Sequence, residues 1–331
     1  MDINNLFDYC VESTTTINKT IFFVGDMIGN SLFLLAIDND TNKIYANASE
    51  WLCLIKSFYA IRFHHYNHIV SQYNSIITSK NLDTSYADCN VIPFITSFSG
   101  GTVHGYSGLF CVLTEYINNF DSYKDYKIIV YTNSQQGLLD IITHFVDINI
   151  INKEQIIYIS SNKQYLFNSI KFIPNSWNTF PRDIKLEIID KYMIDNNKYL
   201  PHYNYDKICI LKSSISDNKT VIGIVDIEIV NNFCNKNNLF LLEPTKINEI
   251  ELINIINKSK IFVTTWGTAF FKNSAYISDN CEKIIVLVIG HEFMSQYNNA
   301  IRNNSIDRKI KNAHIEYYIT DTNLNVDINI A

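Results

Sequence analysis

Glycine and proline are scarce in this chain, at 10 and 5 of 331 residues. That shortage excludes collagen-like and low-complexity Pro/Gly architectures. No Cys-x-x-Cys pair occurs, and the seven cysteines are spread singly between Cys10 and Cys281. Neither a disulfide scaffold nor a zinc knuckle is indicated by that spacing. No apolar run approaches the roughly 20 residues that a membrane-spanning helix needs. The opening Met1-Asp-Ile-Asn-Asn-Leu lacks the basic-then-apolar pattern of a secretory leader. A soluble, cytoplasmic protein is the expectation. A basic surplus is missing too, since 27 Lys and Arg face 33 Asp and Glu for a formal net charge of −6. Such a chain has few cations with which to displace counterions, so nucleic acid is not an expected partner.

What is present is globular. Hydrophobic residues make up 47% and charged residues 18% of the chain, enough to bury a core. A length of 331 residues suits two domains, and a pattern-poor stretch ending near Pro201 divides them into 1–200 and 201–331. The 21 tyrosines and 20 phenylalanines leave room for an aromatic interface, so a homodimer is possible.

In the first half, Thr20–Val24, Leu32–Ile37 and Lys43–Ala46 read as strands. Asp38 and Asp40 form an Asp-x-Asp pair, a spacing that can hold a metal–diphosphate complex. The cluster sits at a hairpin tip, however, where Asp and Asn serve turn geometry, and the turn is the preferred reading. His64 and His68 stand four apart beside His65, but no third metal ligand accompanies them, so a packed or surface cluster is expected. Val91–Ile95 reads as a strand, followed by a segment holding four of the ten glycines between positions 100 and 108. His104 lies in that segment, just ahead of a helix expected over Leu109–Phe120 with Glu115 on its flank. A catalytic or ligand-binding histidine suits such a place, and a satisfied core histidine suits it equally. Lys127–Tyr131, Gln135–Phe145, Gln155–Ser160 and Tyr165–Ile173 then read as strand, helix, strand, strand.

The second half alternates more cleanly. Strands are expected at Lys207–Leu211, Leu239–Leu242, Lys260–Thr264 and Lys283–Ile289, with helices at Ile227–Asn237, Ile247–Ser259 and Thr268–Ile277. Such alternation gives a parallel sheet whose carboxyl ends line a crevice. Lys212-Ser213, Glu243-Pro244 and the Thr264–Gly267 turn all fall at those ends. Where a strand hands over to a helix through Gly267, unpaired backbone N–H groups point outward and attract anions. An ordinary connection that binds nothing has the same local spacing. A helix and a strand, Ile315–Thr320, close the chain, with a route back over the first domain open to them.

The order of these segments resembles glycosyltransferase family 61, over about residues 95 to 290. The counterparts are His104, Lys212-Ser213, Glu243-Pro244 and, most diagnostic, Trp266-Gly267-Thr268-Ala269-Phe270-Phe271-Lys272-Asn273. The resemblance implies an α/β, GT-B-like fold of two Rossmann-like domains facing across a cleft. It also implies an inverting, metal-independent transfer of a sugar from a nucleotide-sugar donor, a UDP-sugar, to a hydroxyl on a glycan or glycoprotein. On that reading no cofactor is needed. His104 would serve as general base, with Glu115 second. Lys212, helped by Lys272, would meet the diphosphate together with the backbone of Gly267, Thr268 and Ala269, Ser213 would join the nucleotide-sugar-binding residues, and Glu243 would hold the ribose or base. Thr264, Thr265 and Trp266 would line the nucleotide pocket, and Asn273 would order the turn or touch the donor. Lys212 stands where the family carries arginine and Trp266 where histidine is common, which leaves open a non-catalytic carbohydrate-binding descendant. A pyruvyl transferase acting on polysaccharide is the other alternative.

Overall fold

A computed structural model describes residues 15–24, 34–41, 44–46, 82–94, 102–161, 163–173, 187–195, 205–211, 225–289 and 313–330. The chain divides into two compact units, Met1–Lys185 and Leu186–Ala331.

The first unit holds strands β1 (Thr15–Val24), β2 (Leu34–Asp38), β3 (Ile44–Ala46), β4 (Leu82–Asp83) and β5 (Asn90–Pro93). Helices α1 (Thr102–Asn118) and α2 (Phe120–Tyr123) come next, then β6 (Lys127–Tyr131), α3 (Gln136–Asp147), β7 (Ile156–Ile159) and β8 (Gln164–Phe172). The sheet order is β3-β2-β1-β8-β5-β6-β7, with β4 paired to β8. Strands β8, β5, β6 and β7 run parallel, whereas β1 meets both β2 and β8 antiparallel. The first unit is therefore a mixed sheet: three antiparallel strands extend a parallel αβ core. Phe22, Phe167 and Phe172 share one buried cluster, with the Phe22 ring centroid 6.3 Å from Phe167 and 6.1 Å from Phe172. On α1, Leu109, Val112, Leu113 and Tyr116 are buried at helical spacing. At the β2 tip the Asp38 carboxylate accepts from the N–H groups of Asp40 and Thr41, and Asp40 pairs with Lys19. The Asp-x-Asp is a turn-forming pair, as its position suggested. His64, His65 and His68 lie outside the described residues.

The second unit contains β9 (Lys207–Ile210), α4 (Ile227–Lys236), β10 (Phe240–Leu241), α5 (Glu249–Lys258), β11 (Ile261–Thr265), α6 (Thr268–Asn273), β12 (Lys283–Ile289) and β13 (His314–Thr320). Its sheet has five strands in the order β10-β9-β11-β12-β13, and every pairing is parallel. All five residues of β11 are buried, which identifies it as the central strand and explains its unbroken apolar start. Ile261 and Val263 join Val230, Phe233 and Cys234 of α4 in one core cluster. Each such side chain taken from water contributes about 1.5–3 kcal/mol. Helix α4 is capped by Asp226, whose side chain accepts from the Glu228 N–H at 2.8 Å; α5 is capped by Asn248, which accepts from the Ile250 N–H.

Two expectations shift here. The segment 187–195, placed before the domain boundary by sequence, packs in the second unit. Asn254 of α5 accepts from the Asp195 N–H and donates to the Met193 carbonyl, both at 2.9 Å. The described C-terminal residues also stay with the second sheet. Strand β13 is its edge, and Leu324 and Ile328 enter the α4 core cluster. Among the described residues no helix is long and apolar enough to cross a membrane.

Candidate functional site

In the second sheet the chain steps from β9 to β10 on one side and then returns past β9 to β11. The topology reverses between β9 and β11, and in open α/β sheets ligands bind outside the carboxyl ends at such a point. Strand β11 ends there at Thr265. The Trp266 N–H still bonds to the Leu287 carbonyl at 2.9 Å, so the ladder to β12 continues one residue beyond the strand. Gly267 then turns the chain at φ 110° and ψ −147°, a conformation that L side chains rarely adopt. A Cβ built on Gly267 would meet nothing within 4 Å, so the space before it is open. Glycine is required here by torsion and leaves the backbone approachable.

The remaining candidates around this bend divide by surroundings. Thr264 and Thr265 are buried within the strand. The Thr264 hydroxyl has no hydrogen-bond partner among the described residues. Trp266 is 7% exposed and stacks on Phe270 at 5.8 Å, with Tyr317 edge-on at 6.2 Å. The ring is thus packed against both α6 and β13. Thr268 and Ala269 form the first turn of α6, where Ala269 is half-buried. Lys272 donates to Glu249 Oε2 at 2.8 Å, an ion pair whose side chains are only 16% and 5% exposed. The ammonium expected to meet a diphosphate is bound by a buried carboxylate. Asn273 is 3% exposed, and its Oδ1 lacks a partner among the described residues.

Glu243 follows β10 and accepts from Lys246 Nζ at 2.8 Å, three residues on. Its side chain is 27% exposed. As β9 lies between β10 and β11, Glu243 and Gly267 flank the end of β9 from opposite sides. Lys212 and Ser213 continue from that end beyond Leu211 and lie outside the described residues.

In the first unit β6 and β7 lie to one side of β5 and β8 to the other, so its parallel portion also reverses direction at β5. His104 falls in the first turn of α1, on the connection leaving the carboxyl end of β5. The helix begins at Thr102 and not after Gly108, so Gly105 and Gly108 are inside it. Each glycine costs about 1 kcal/mol against alanine in a helix interior, and the buried face of the following residues outweighs it. Glu115 is not brought near His104. It sits at the far end of α1, about 16 Å along the axis at 1.5 Å per residue, and accepts from the Tyr123 hydroxyl at 2.9 Å. That hydroxyl is pushed above its ordinary range, first by burial and then by the Glu115 carboxylate. Glu115 belongs to the amino-end packing of the sheet.

Two residues that sequence reasoning did not select matter here, Glu249 and Tyr276. The Tyr276 hydroxyl donates to Glu249 Oε1 at 2.9 Å, completing a buried triad with Lys272. Only the position of Glu249 in the first turn of a helix was visible in the sequence, and that reads as a dipole-facing acid. No family model matches the chain, and no curated protein matches it significantly.

Proposed function

We propose that the chain is a glycosyltransferase that moves a sugar from a nucleotide donor, a UDP-sugar, to a hydroxyl of a glycan or glycoprotein. The observation that carries this reading is the open, positive-φ bend at Gly267, standing at the reversal point of a five-stranded parallel sheet. The family-like motif order supports it. The acceptor oxygen attacks the anomeric carbon, the carbon–oxygen bond to the diphosphate breaks, and the configuration inverts. His104 takes the acceptor proton. The departing diphosphate needs donors fixed in advance. The N–H groups of Gly267, Thr268 and Ala269 supply them, with Lys212 as the cation, and Glu243 faces the ribose. The GT-B arrangement that the motif order implies belongs to the same proposal.

A second reading has its own support. Lys272 is consumed by Glu249, and Trp266 is consumed by packing. A non-catalytic descendant that binds glycan would retain such a frame. Thermal-shift measurements with UDP, GDP, CDP and their sugars, each with and without magnesium, test the donor site, because a ligand of the folded state raises its apparent stability. Stabilisation by a uridine diphosphate is the expected result; no shift with any nucleotide refutes the donor site. A His104→Ala variant separates the two readings, since it abolishes transfer in an enzyme and leaves glycan binding untouched in a binding protein.

A further inference from the structure

We propose that Glu249 is the positioning residue of this carboxyl-edge site: it fixes the pose of α6 and of the Trp266–Ala269 bend, and it keeps the Lys272 ammonium off a bound anion. What the bend binds rests on the nucleotide reading above, whereas the positioning rests on the contacts themselves.

Helix α6 has six residues. A helix that short has too few internal hydrogen bonds to hold its own direction, so tertiary contacts must set it. Its sequence-preceding anchor is Gly267, the residue with the freest torsions. At its other end Glu249 supplies what is missing. One carboxylate oxygen receives Lys272 Nζ and the other receives the Tyr276 hydroxyl, at 2.8 and 2.9 Å. Glu249 and Tyr276 are 5% and 0% exposed, so these bonds form in a water-poor environment where they are stiff. Helix α5 grips the same segment again from further along. Asn257 donates to the Tyr276 carbonyl at 3.2 Å, and the Ser278 hydroxyl donates to the Asn257 carbonyl at 2.6 Å. Because Glu249 opens α5 immediately after the β10 connection, it ties the Glu243 side of the crevice to the Gly267 side. With the Lys272 charge neutralised in place, anion binding falls to backbone N–H groups whose direction Glu249 sets.

The test uses the full chain and compares wild type with Glu249→Gln, Tyr276→Phe and the double variant Glu249→Gln/Lys272→Met. The double variant leaves no charge unpaired and keeps the fold measurable if Glu249→Gln alone does not fold. Hydrogen exchange of amides 266–273 is read by mass spectrometry, and calorimetry gives affinities for UDP and for uridine. Faster exchange confined to 266–273 is expected in the Glu249 variants, with a smaller effect in Tyr276→Phe. In the double variant, where no released lysine can take up the anion, UDP affinity falls about tenfold or more, as small misplacements of binding groups do, while uridine affinity stays within about twofold of wild type, because contacts to the nucleoside do not pass through the bend. Unchanged exchange at 266–273, or equal losses for UDP and uridine, overturns the positioning role. If wild type binds neither compound, the nucleotide reading fails by itself, and the exchange pattern alone decides whether Glu249 sets the bend.

Discussion

Gly267 has open space around it and yet does not tolerate a side chain, because its torsions, not its neighbours, demand glycine. Gly267→Ala is predicted to cost about 1–3 kcal/mol of stability through backbone strain alone, measurable by urea unfolding. A loss below a few tenths of that range would mean the bend relaxes into ordinary torsions. Thr264 offers the converse case. Its hydroxyl is buried without a partner among the described residues, so Thr264→Val keeps the shape and removes an unsatisfied group. The variant is predicted to match or exceed wild-type stability by about 1 kcal/mol; clear destabilisation would show that the hydroxyl has a partner in solution. The turn at Gly267 was readable from sequence, since a lone glycine separates an apolar run from a helix; its positive φ was not. The engagement of Lys272 was not. Spacing places a lysine on a helix, but its partner Glu249 stands on another helix, 23 residues earlier in the chain, and no local pattern records that pairing. The packing of Trp266 was hidden for the same reason, as Tyr317 reaches it from β13, two strands away.

The described elements of the second unit were legible in type and order because α/β alternation separates two hydrophobic periods cleanly. Strand β12 occupies Lys283–Ile289 as read, and α4 begins at Ile227 as its capping Asp226 signals. Asp226→Ala is expected to cost about 1 kcal/mol, seen as a lowered unfolding midpoint with unchanged slope against urea. Helix α6 ends sooner than read, at Asn273, where the Tyr276 N–H turns back to the Asn273 carbonyl at 2.9 Å. Helix α1 starts sooner than read, because glycines in its first turns mask a helical pattern. The C-terminal segment is held at the sheet's amino end by Glu316 and its neighbours. Tyr318 donates to Glu316 at 2.7 Å and accepts from the Asn329 N–H, while Lys283 Nζ donates to the Asn329 carbonyl. The Tyr318 hydrogen bond, helped by Lys283 and His314, holds the Glu316 carboxyl below its ordinary value of 4.5. A carboxyl with a depressed folded-state pKa gives its full stabilisation above the unfolded value and loses it as pH falls through the folded one. Stability therefore declines on acidification below about pH 4.5, and Glu316→Gln should show a shallower decline over that window. An identical acid profile for variant and wild type would remove Glu316 from the account.

At the scale of the whole molecule, sequence gave two α/β units but set their division too late. Pro201 and the polar residues before it look like a linker, yet Asn254 binds the backbone at Met193 and Asp195 to the second unit. A buried carboxamide on a distant helix decides that boundary. The antiparallel extension β1–β3 of the first sheet was seen as separate strands, but its union with β8 depends on long-range pairing that no short window contains. The account stands on one proposition about the second unit: its carboxyl edge at Gly267 receives the diphosphate of a nucleotide. Amide resonances of the isotope-labelled full chain, followed during titration with UDP, test it most directly. Saturable shifts are predicted at Gly267, Thr268 and Ala269, with β13 and the 324–330 segment unmoved. If those three amides stay fixed while UDP, GDP and CDP are taken to saturating levels, the edge is no diphosphate site.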